Sequence, residues 1–439
     1  MNAWKVILIA AVLACLLEAQ KPAPTPPMGW NSWDSYGITV SEQEFLDNAH
    51  WMAAHLLKFG WQYAIVDEGW YVVNPLAKAK DAKFNLDENG RYIPVEARYP
   101  SGFGGLAKKV HAEGLKFGIH LIRGISKEAV ARNLKIADSN FTAADAADTS
   151  DTCPWNTYNY GVKNNEAGQA YYDSLAKLYA AWGVDYIKID CISDHPYKAD
   201  EIRMVSQAIA KTGRPMVLSL SPGPTALERA SEVAKWADLW RISNDFWDVW
   251  KSSTGKSFPQ DLSGQFQKIA AWAPYSGDGR WPDADMLPLG HLGPRPGEGE
   301  DRDSAFTHDE QRTVLSLWCI FRSPLIMGGN LTRMDGWTTR LLTNPEVLAV
   351  DQHSSGGRQV TAGDNAIVWR AQDGKGGYYL AAFNLGEETR KLDWSWTQLG
   401  MPEATYRLRD LWERKGMGTA AKLSLSINKH GSVLLRVTK

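Results

Sequence analysis

Short apolar runs in this sequence are followed, one after another, by groups that could grip or attack a small neutral molecule. In chain order these groups are Trp33 and Asp34, Asp67 and Glu68, His120 and Arg123, Lys188 and Asp190, Ser219 and Ser221, Arg241 and Asp245, then Asp283 and Asp285. The set combines carboxylates, cations and a tryptophan, and no Cys/His spacing resembles a zinc site. Such a mixture suits a polyhydroxylated, uncharged ligand, whose hydroxyls take hydrogen bonds and whose ring faces stack on an aromatic wall. Two carboxyls facing each other across such a site suffice to break a glycosidic bond.

Positioning these groups requires elements that end at a common mouth. Strand-like runs near 29–33, 63–67, 117–121, 186–190, 216–220, 239–242, 281–286 and 323–327 alternate with segments of helical period. The stretch 166–182, with Tyr171, Leu175, Leu178, Tyr179 and Trp182 at helical spacing, is one of the latter. Eight such units predict an α/β fold, a (β/α)8 TIM barrel, whose active site lies at the carboxyl ends of the strands. Beyond 351 the β-rich runs 366–370, 378–383 and 433–437 predict a small C-terminal antiparallel β-sandwich domain. Its expected boundary is the Ser/Gly-rich segment 351–357, so the barrel is assigned to 21–352 and the sandwich to 353–439. Trp394, Trp396 and Trp412 read as core rather than as a carbohydrate-binding face.

Composition narrows the partners. With 48 Lys and Arg against 50 Asp and Glu, the net charge of -2 provides no field for nucleic acid or an anionic membrane. The start of the chain, Lys5 followed by the apolar run 6–17 and the Pro-rich 21–27, reads as a signal peptide over 1–20 rather than a membrane span. The alternative is lipoprotein processing, which leaves Cys15 as a lipid anchor. Outside this segment only Cys153, Cys191 and Cys319 remain, so the mature chain is not a disulfide scaffold. No Gly-rich phosphate loop follows a strand, and no cofactor is expected.

Five segments carry a resemblance to a known family: Pro27-Met28-Gly29-Trp30-Asn31-Ser32-Trp33, Gly183-Val184-Asp185-Tyr186-Ile187-Lys188-Ile189-Asp190, Trp240-Arg241-Ile242-Ser243-Asn244-Asp245, Trp281-Pro282-Asp283-Ala284-Asp285-Met286-Leu287 and Arg322-Ser323-Pro324-Leu325. In this order and spacing they resemble glycoside hydrolase family 27, the melibiase group of α-galactosidases and α-N-acetylgalactosaminidases. The likeness spans nearly the whole mature chain. It implies a retaining exo-glycosidase with Asp190 as nucleophile and Asp245 as acid/base, a pair that retention places about 5 to 5.5 Å apart. It further implies that Asp67 and Asp285 grip sugar hydroxyls, that Trp33 walls the pocket, and that Lys188 and Arg241 bind hydroxyls. Lys188, two residues before Asp190 on one strand face, is expected to stabilise that carboxylate as an anion; a structural ion pair is the alternative for both cations. Asp283 and Trp30 are assigned to capping and packing.

Three pocket positions depart from the usual α-galactosidase pattern. Glu68 replaces an Asp, and its extra methylene would crowd a galactose C6 hydroxymethyl, favouring a pentose such as β-L-arabinopyranose. Ser221 stands where galactosidases place a Glu and N-acetylgalactosaminidases a Ser. His120 replaces a Tyr and reads equally as a sugar contact or as a satisfied structural group. Cys153 and Cys191 correspond to a family disulfide over the pocket, although Cys191 directly follows Asp190 instead of lying one residue further on. The leading expectation is α-galactosidase activity on oligosaccharides or polysaccharide side chains. The alternatives are α-N-acetylgalactosaminidase, β-L-arabinopyranosidase, or, in another class, an inactive barrel that only binds carbohydrate, against which the presence of both Asp190 and Asp245 counts.

Overall fold

The computed structural model describes residues 22–78, 81–363 and 365–439; the expected signal peptide and the Cys15 anchor lie outside them. Eight parallel strands, β1 (Met28–Asn31), β2 (Tyr63–Val66), β3 (Lys116–Ile122), β4 (Tyr186–Asp190), β5 (Val217–Leu220), β6 (Leu239–Arg241), β7 (Trp281–Asp283) and β8 (Leu325–Met327), form one curled sheet in the order β7-β6-β5-β4-β3-β2-β1-β8. The two ends of that order meet where Leu287, beyond β7, bridges Met327 of β8. Leu287 N donates to Ile326 O at 2.8 Å and Gly328 N to Leu287 O at 3.0 Å. The barrel is thus closed at one seam by a bridge rather than by a long ladder. Close approach leaves no room for a side chain at Gly29, where a Cβ would lie 2.2 Å from Tyr63 O.

A helix follows each strand: α1 (Glu42–His55), α2 (Gly102–Ala112), α3 (Glu166–Trp182), α4 (Ala199–Thr212), α5 (Ala230–Trp236), α6 (Leu262–Trp272), α7 (His308–Phe321) and α8 (Pro345–His353). Local chemistry fixes their ends. Helix α3 starts where the Asn165 side chain accepts from Gly168 N at 2.8 Å and stops at Gly183, whose φ of 86° a residue with a Cβ adopts at a cost. Helix α1 opens with a Ser41/Glu44 capping box and buries Phe45, Ala49 and Met52. Phe45 packs against Trp30 with ring centroids 5.6 Å apart, and Trp30 Nε1 donates to Gly329 O at 2.9 Å, so Trp30 does pack outside the barrel.

Two strands stop two or three residues short of the expected carboxyl end. Strand β1 stops at Asn31, and Trp33 opens a helical turn, Trp33–Tyr36, because Asn31 Oδ1 accepts from Trp33 N at 2.8 Å and turns the chain. Strand β7 stops at Asp283, since Asp285 takes a φ of +88°.

The carboxy-terminal part starts at once after α8, with β9 (Ser355–Gly363), then β10 (Ala366–Gln372), β11 (Tyr378–Asn384), β12 (Arg390–Trp394), β13 (Tyr406–Asp410), β14 (Lys415–Ala420), β15 (Leu423–Ile427) and β16 (Ser432–Thr438). The segment 354–357, within the expected boundary, enters β9 through a bulge between Ser355 and Arg358. Six strands form an antiparallel sheet, β9-β10-β11-β16-β13-β14, and β12 pairs with β15. Alternation gives the six-stranded sheet two apolar faces. Val368, Leu380, Leu435 and Val437 pack in the domain's own core with Trp396, whereas Trp369, Tyr379, Phe383 and Leu434 join the core of the barrel. Trp412 belongs to this junction, where its Nε1 donates to Ser316 Oγ of α7 at 2.9 Å. Among the described residues no helix is long and apolar enough to cross a membrane.

Candidate active site

Period-two alternation decides what enters the barrel. Strand β2 and its extension direct Tyr63, Ile65 and Asp67 inward, β4 directs Tyr186, Lys188 and Asp190, and β5 and its extension direct Val217, Ser219 and Ser221. The lower members Tyr63, Ile65, Tyr186, Val217, Leu239, Trp281 and Ile326 form one buried apolar cluster with Ala23. Above it the interior turns polar and opens into a cavity of about 180 Å3. Trp33, Asp67, Glu68, His120, Lys188, Asp190, Ser221, Arg241, Asp245 and Asp285 all line it. Of the groups collected from the strand ends, Arg123, Ser219 and Asp283 do not line it; Arg123 pairs instead with Asp151 and Glu201. A larger cavity of about 760 Å3 lies at the opposite, amino-terminal end, between Pro22, Lys116, Asp185, Arg214, Asp238 and Arg280. Arg214 pairs there with Asp185 and Arg280 with Asp238, and barrels perform chemistry at the other end.

Asp67 is held on both oxygens. Its Oδ2 accepts from Asn31 Nδ2 at 2.6 Å and from Lys188 Nζ at 3.0 Å, and its Oδ1 from Glu68 N at 2.8 Å. Burial pushes its carboxyl up, but the charges of His120 and Lys188 and these donors prevail and keep it well below the usual range. Lys188 stabilises Asp190 as an anion from a distance, not through an ion pair. Lys188 reaches past β3 to Asp67, and the cation against Asp190 is His120, with Nε2 3.7 Å from Asp190 Oδ2. Asp190 Oδ1 accepts from Cys191 N at 2.6 Å. Burial opposes ionisation of Asp190, yet His120 and, at longer range, Lys188 hold its carboxyl below the ordinary value.

His120 is not the satisfied structural group of one reading, because its Nδ1 is buried with no hydrogen-bond partner. Burial disfavours its charged form, but Asp67 and Asp190 outweigh burial and raise its pKa. Arg241 is 3% exposed; its Nη2 lies 2.6 Å from Asp285 Oδ2 and 3.2 Å from Asp245 Oδ1. It therefore ties the half-exposed Asp245 to a buried carboxyl. Asp285 also accepts from Phe246 N and Met286 N, both at 2.7 Å, while Asp283 accepts from Asp285 N at 2.8 Å and so orients its neighbour. Burial, against Arg241, raises Asp285 to about 7.

Glu68 forms a partition. Its Oε1 accepts from Asn156 Nδ2 at 2.7 Å, and burial raises its carboxyl to about 7. Behind it lies a second cavity of about 310 Å3 that shares Trp33, Glu68 and Trp155 with the first. Trp155, 46% exposed at the rim, sits on the loop that the disulfide Cys153–Cys191 fastens beside Asp190, with Cα atoms 6.0 Å apart. Cys319 is a buried free thiol.

Sequence reasoning collected Asp34 among the mouth residues without a specific role, and did not single out Trp155, Phe246, Trp247 and Met286. Asp34 and Met286 lie inside or next to the quoted motifs, which was a usable signal. Trp155 and Trp247 come from loops without local periodicity. The arrangement offers two carboxylates of different exposure, a cationic partner for each, and a tight polar chamber. No group of three or more His, Cys, Asp or Glu side chains with metal-holding geometry occurs among the described residues.

Comparison with known proteins gives three kinds of likeness. Residues 25–131 and 160–353 match the family model described as alpha galactosidase A, and 363–437 match the alpha galactosidase C-terminal beta sandwich domain. A curated α-galactosidase of Cyamopsis tetragonoloba is 27% identical over 424 residues, covering 94% of this chain and 86% of the relative. A crystal structure of a family 27 β-L-arabinopyranosidase from Geobacillus stearothermophilus is 44% identical, with a TM-score of 0.90 over 95% of this chain and 97% of that one. The structure of a putative α-N-acetylgalactosaminidase from Bacillus halodurans is 40% identical, with a TM-score of 0.83 over 95% and 98%.

Proposed function

This chain belongs to glycoside hydrolase family 27 and is a glycosidase of the α-galactosidase type, and from that premise we propose that it is a retaining exo-enzyme whose chamber favours a terminal β-L-arabinopyranosyl residue over an α-D-galactosyl one. The observation that carries this reading is the cavity itself, in which Asp190 and Asp245 share a small chamber with Glu68 standing across one side. Its volume falls below the roughly 300 Å3 at which pockets for drug-sized ligands begin, and suits one sugar ring.

In this reading Asp190 attacks the anomeric carbon and forms a glycosyl-enzyme. Asp245 protonates the departing oxygen, then removes a proton from the water that releases the sugar. The division of labour fits the surroundings. Asp190 is an anion kept ionised by His120, whereas Asp245, about half exposed, can exchange a proton with the leaving group and with water. Arg241 orients Asp245, Asp67 and Asp285 are fixed acceptors for ring hydroxyls, and Trp33 contributes an apolar wall.

Glu68 supports the pentose. Asn156 holds it in place, so it cannot swing away from a C6 hydroxymethyl without losing a hydrogen bond. Glu68→Asp, which shortens the partition by one methylene towards the second cavity, should raise the ratio of galactoside to arabinopyranoside kcat/KM by about 10- to 200-fold, or about 1 to 3 kcal/mol. Ser221→Glu should suppress any N-acetylgalactosaminide cleavage by colliding with the acetamido group, and spare the arabinopyranoside. Matched p-nitrophenyl glycosides of the three sugars measure both effects. A wild type that prefers the galactoside, with a ranking unmoved by either substitution, would remove the pentose reading and leave the family assignment standing.

The same proposal includes export. A bridged Cys153–Cys191 persists in an oxidising compartment, and the apolar run 6–17 supplies the address. Intact-mass analysis of the protein recovered from the cell exterior should show the chain beginning after about residue 20. A diacylglycerol adduct on Cys15 would identify the lipid-anchored form instead, and a full-length mature chain would sink the proposal.

A further inference from the structure

The cavity's carboxylates differ in how much bonding capacity the protein leaves them. Asp67 takes three donors, Asn31, Lys188 and Glu68 N. Asp285 takes Arg241, Phe246 N and Met286 N. Glu68 is held by Asn156, Asp190 has Cys191 N on one oxygen and His120 against the other, and Asp245 is held by Arg241. Asp34 differs from all of these. It is 2% exposed, it lines the cavity, and no group among the described residues donates a hydrogen bond to it or pairs with it.

The fold nonetheless makes room for this carboxyl. A Cβ on Gly328 would lie 1.9 Å from Asp34 Oδ2, so the glycine after β8 is what lets the side chain stay where it is. Asp34 occupies the helical turn that Asn31 starts, and Ser35 Oγ, next in sequence, donates to Gly328 O at 2.6 Å, which fixes the turn against β8. The position is therefore built, yet the side chain it presents has no partner in the protein. A buried carboxyl without donors is a standing cost to folding that a ligand hydroxyl would relieve.

We propose that Asp34 is a substrate-binding residue of this site and takes a ring hydroxyl of the bound sugar. This inference rests on the glycosidase reading above and deepens it by naming a specificity contact. It follows from comparison: Asp67 and Asp285 each take three protein donors and keep little acceptor capacity for a ring hydroxyl, and Asp190 and Asp245 are committed to chemistry. Asp34 is left as the acceptor with both oxygens unclaimed. An uncharged hydroxylated ring suits it, and an anionic ring substituent would be repelled.

The test uses the whole protein and reads binding and stability separately. Free L-arabinose, D-galactose and N-acetyl-D-galactosamine are titrated by calorimetry into wild type, Asp34→Ala and Asp34→Asn, and thermal unfolding of each is recorded without sugar. Asp34→Ala is expected to weaken the preferred sugar at least tenfold while its Tm stays level or rises, since the variant removes an unpaired buried carboxyl. Asp34→Asn, which keeps size and one acceptor oxygen, should lie between the two. A purely structural aspartate gives the reverse pattern, a lowered Tm with sugar affinity unchanged, and that result overturns the inference. Wild-type affinity in both variants overturns it as well, while the glycosidase reading stands. If the wild type binds none of the three sugars, the reading of the cavity falls and this inference falls with it.

Discussion

Asp190→Asn should lower kcat by on the order of 10^5-fold or more on every cleaved glycoside, because the change removes the attacking anion and keeps the side chain's size. Steady-state hydrolysis of an activated aryl glycoside measures it, with circular dichroism to show that the fold survives. The surroundings make the substitution informative. Cys191 N can still donate to the amide oxygen, so the backbone beside the disulfide has no reason to move. The loss would therefore report chemistry and not collapse of the site. A fluorosugar inactivator of matching configuration should label the wild-type peptide that contains Asp190. Label on another carboxylate, or an Asn variant within a factor of ten of wild type, would remove Asp190 from the nucleophile's role.

The second large effect belongs to Asp245 and depends on the leaving group. An aryl oxide departs without help, whereas a sugar alkoxide needs a proton as the bond breaks. Asp245→Ala should accordingly cost about 10^2- to 10^4-fold on an oligosaccharide and far less in the glycosylation step of an activated aryl glycoside. With the aryl substrate the slow step becomes release of the glycosyl-enzyme, since water has lost its base. An added small anion such as azide, which needs no base, should restore turnover. Equal losses on both substrates, with no effect of azide, would show that Asp245 only holds the substrate. Arg241 supplies a control on geometry. It contacts both Asp245 and Asp285 from a buried position, so loss of its charge would displace both carboxyls together and affect the two substrates alike.

Much of this site was legible as sequence because strands have a period of two and barrels put their chemistry at one end. Tyr186–Asp190 is a strand in sequence and in structure, and its alternation alone places Lys188 and Asp190 inside with Tyr186 below them. Helix α3 spans the stretch read from its periodic aromatics, with Asn165 and Gly183 marking its ends. What failed to show were contacts that cross between elements. Lys188 and Asp190 share a face, and the sequence suggested that the ammonium stabilises the carboxylate without showing which group each one touches. Only the curvature of the sheet brings Asp67 within 3.0 Å of the ammonium and leaves His120 against the nucleophile. Trp33 was placed at the end of the strand that begins at Gly29, and the hydrogen bond its backbone N–H donates to the Asn31 side chain made it a turn instead.

The sequence by itself determined the order of strands and helices, the carboxylates that meet at the barrel's mouth, and the family to which those motifs belong, because each of these is written in local periodicity and in short spaced signatures. The tertiary structure alone decided how many protein donors each carboxylate takes. It also decided that Asn156, 88 residues away, holds Glu68 as a partition, and that Gly328 clears the space for an unpartnered Asp34. These are properties of distance between segments remote in the chain. Burial then sets the charge of each group by what surrounds it, and a linear order of residues does not contain those surroundings.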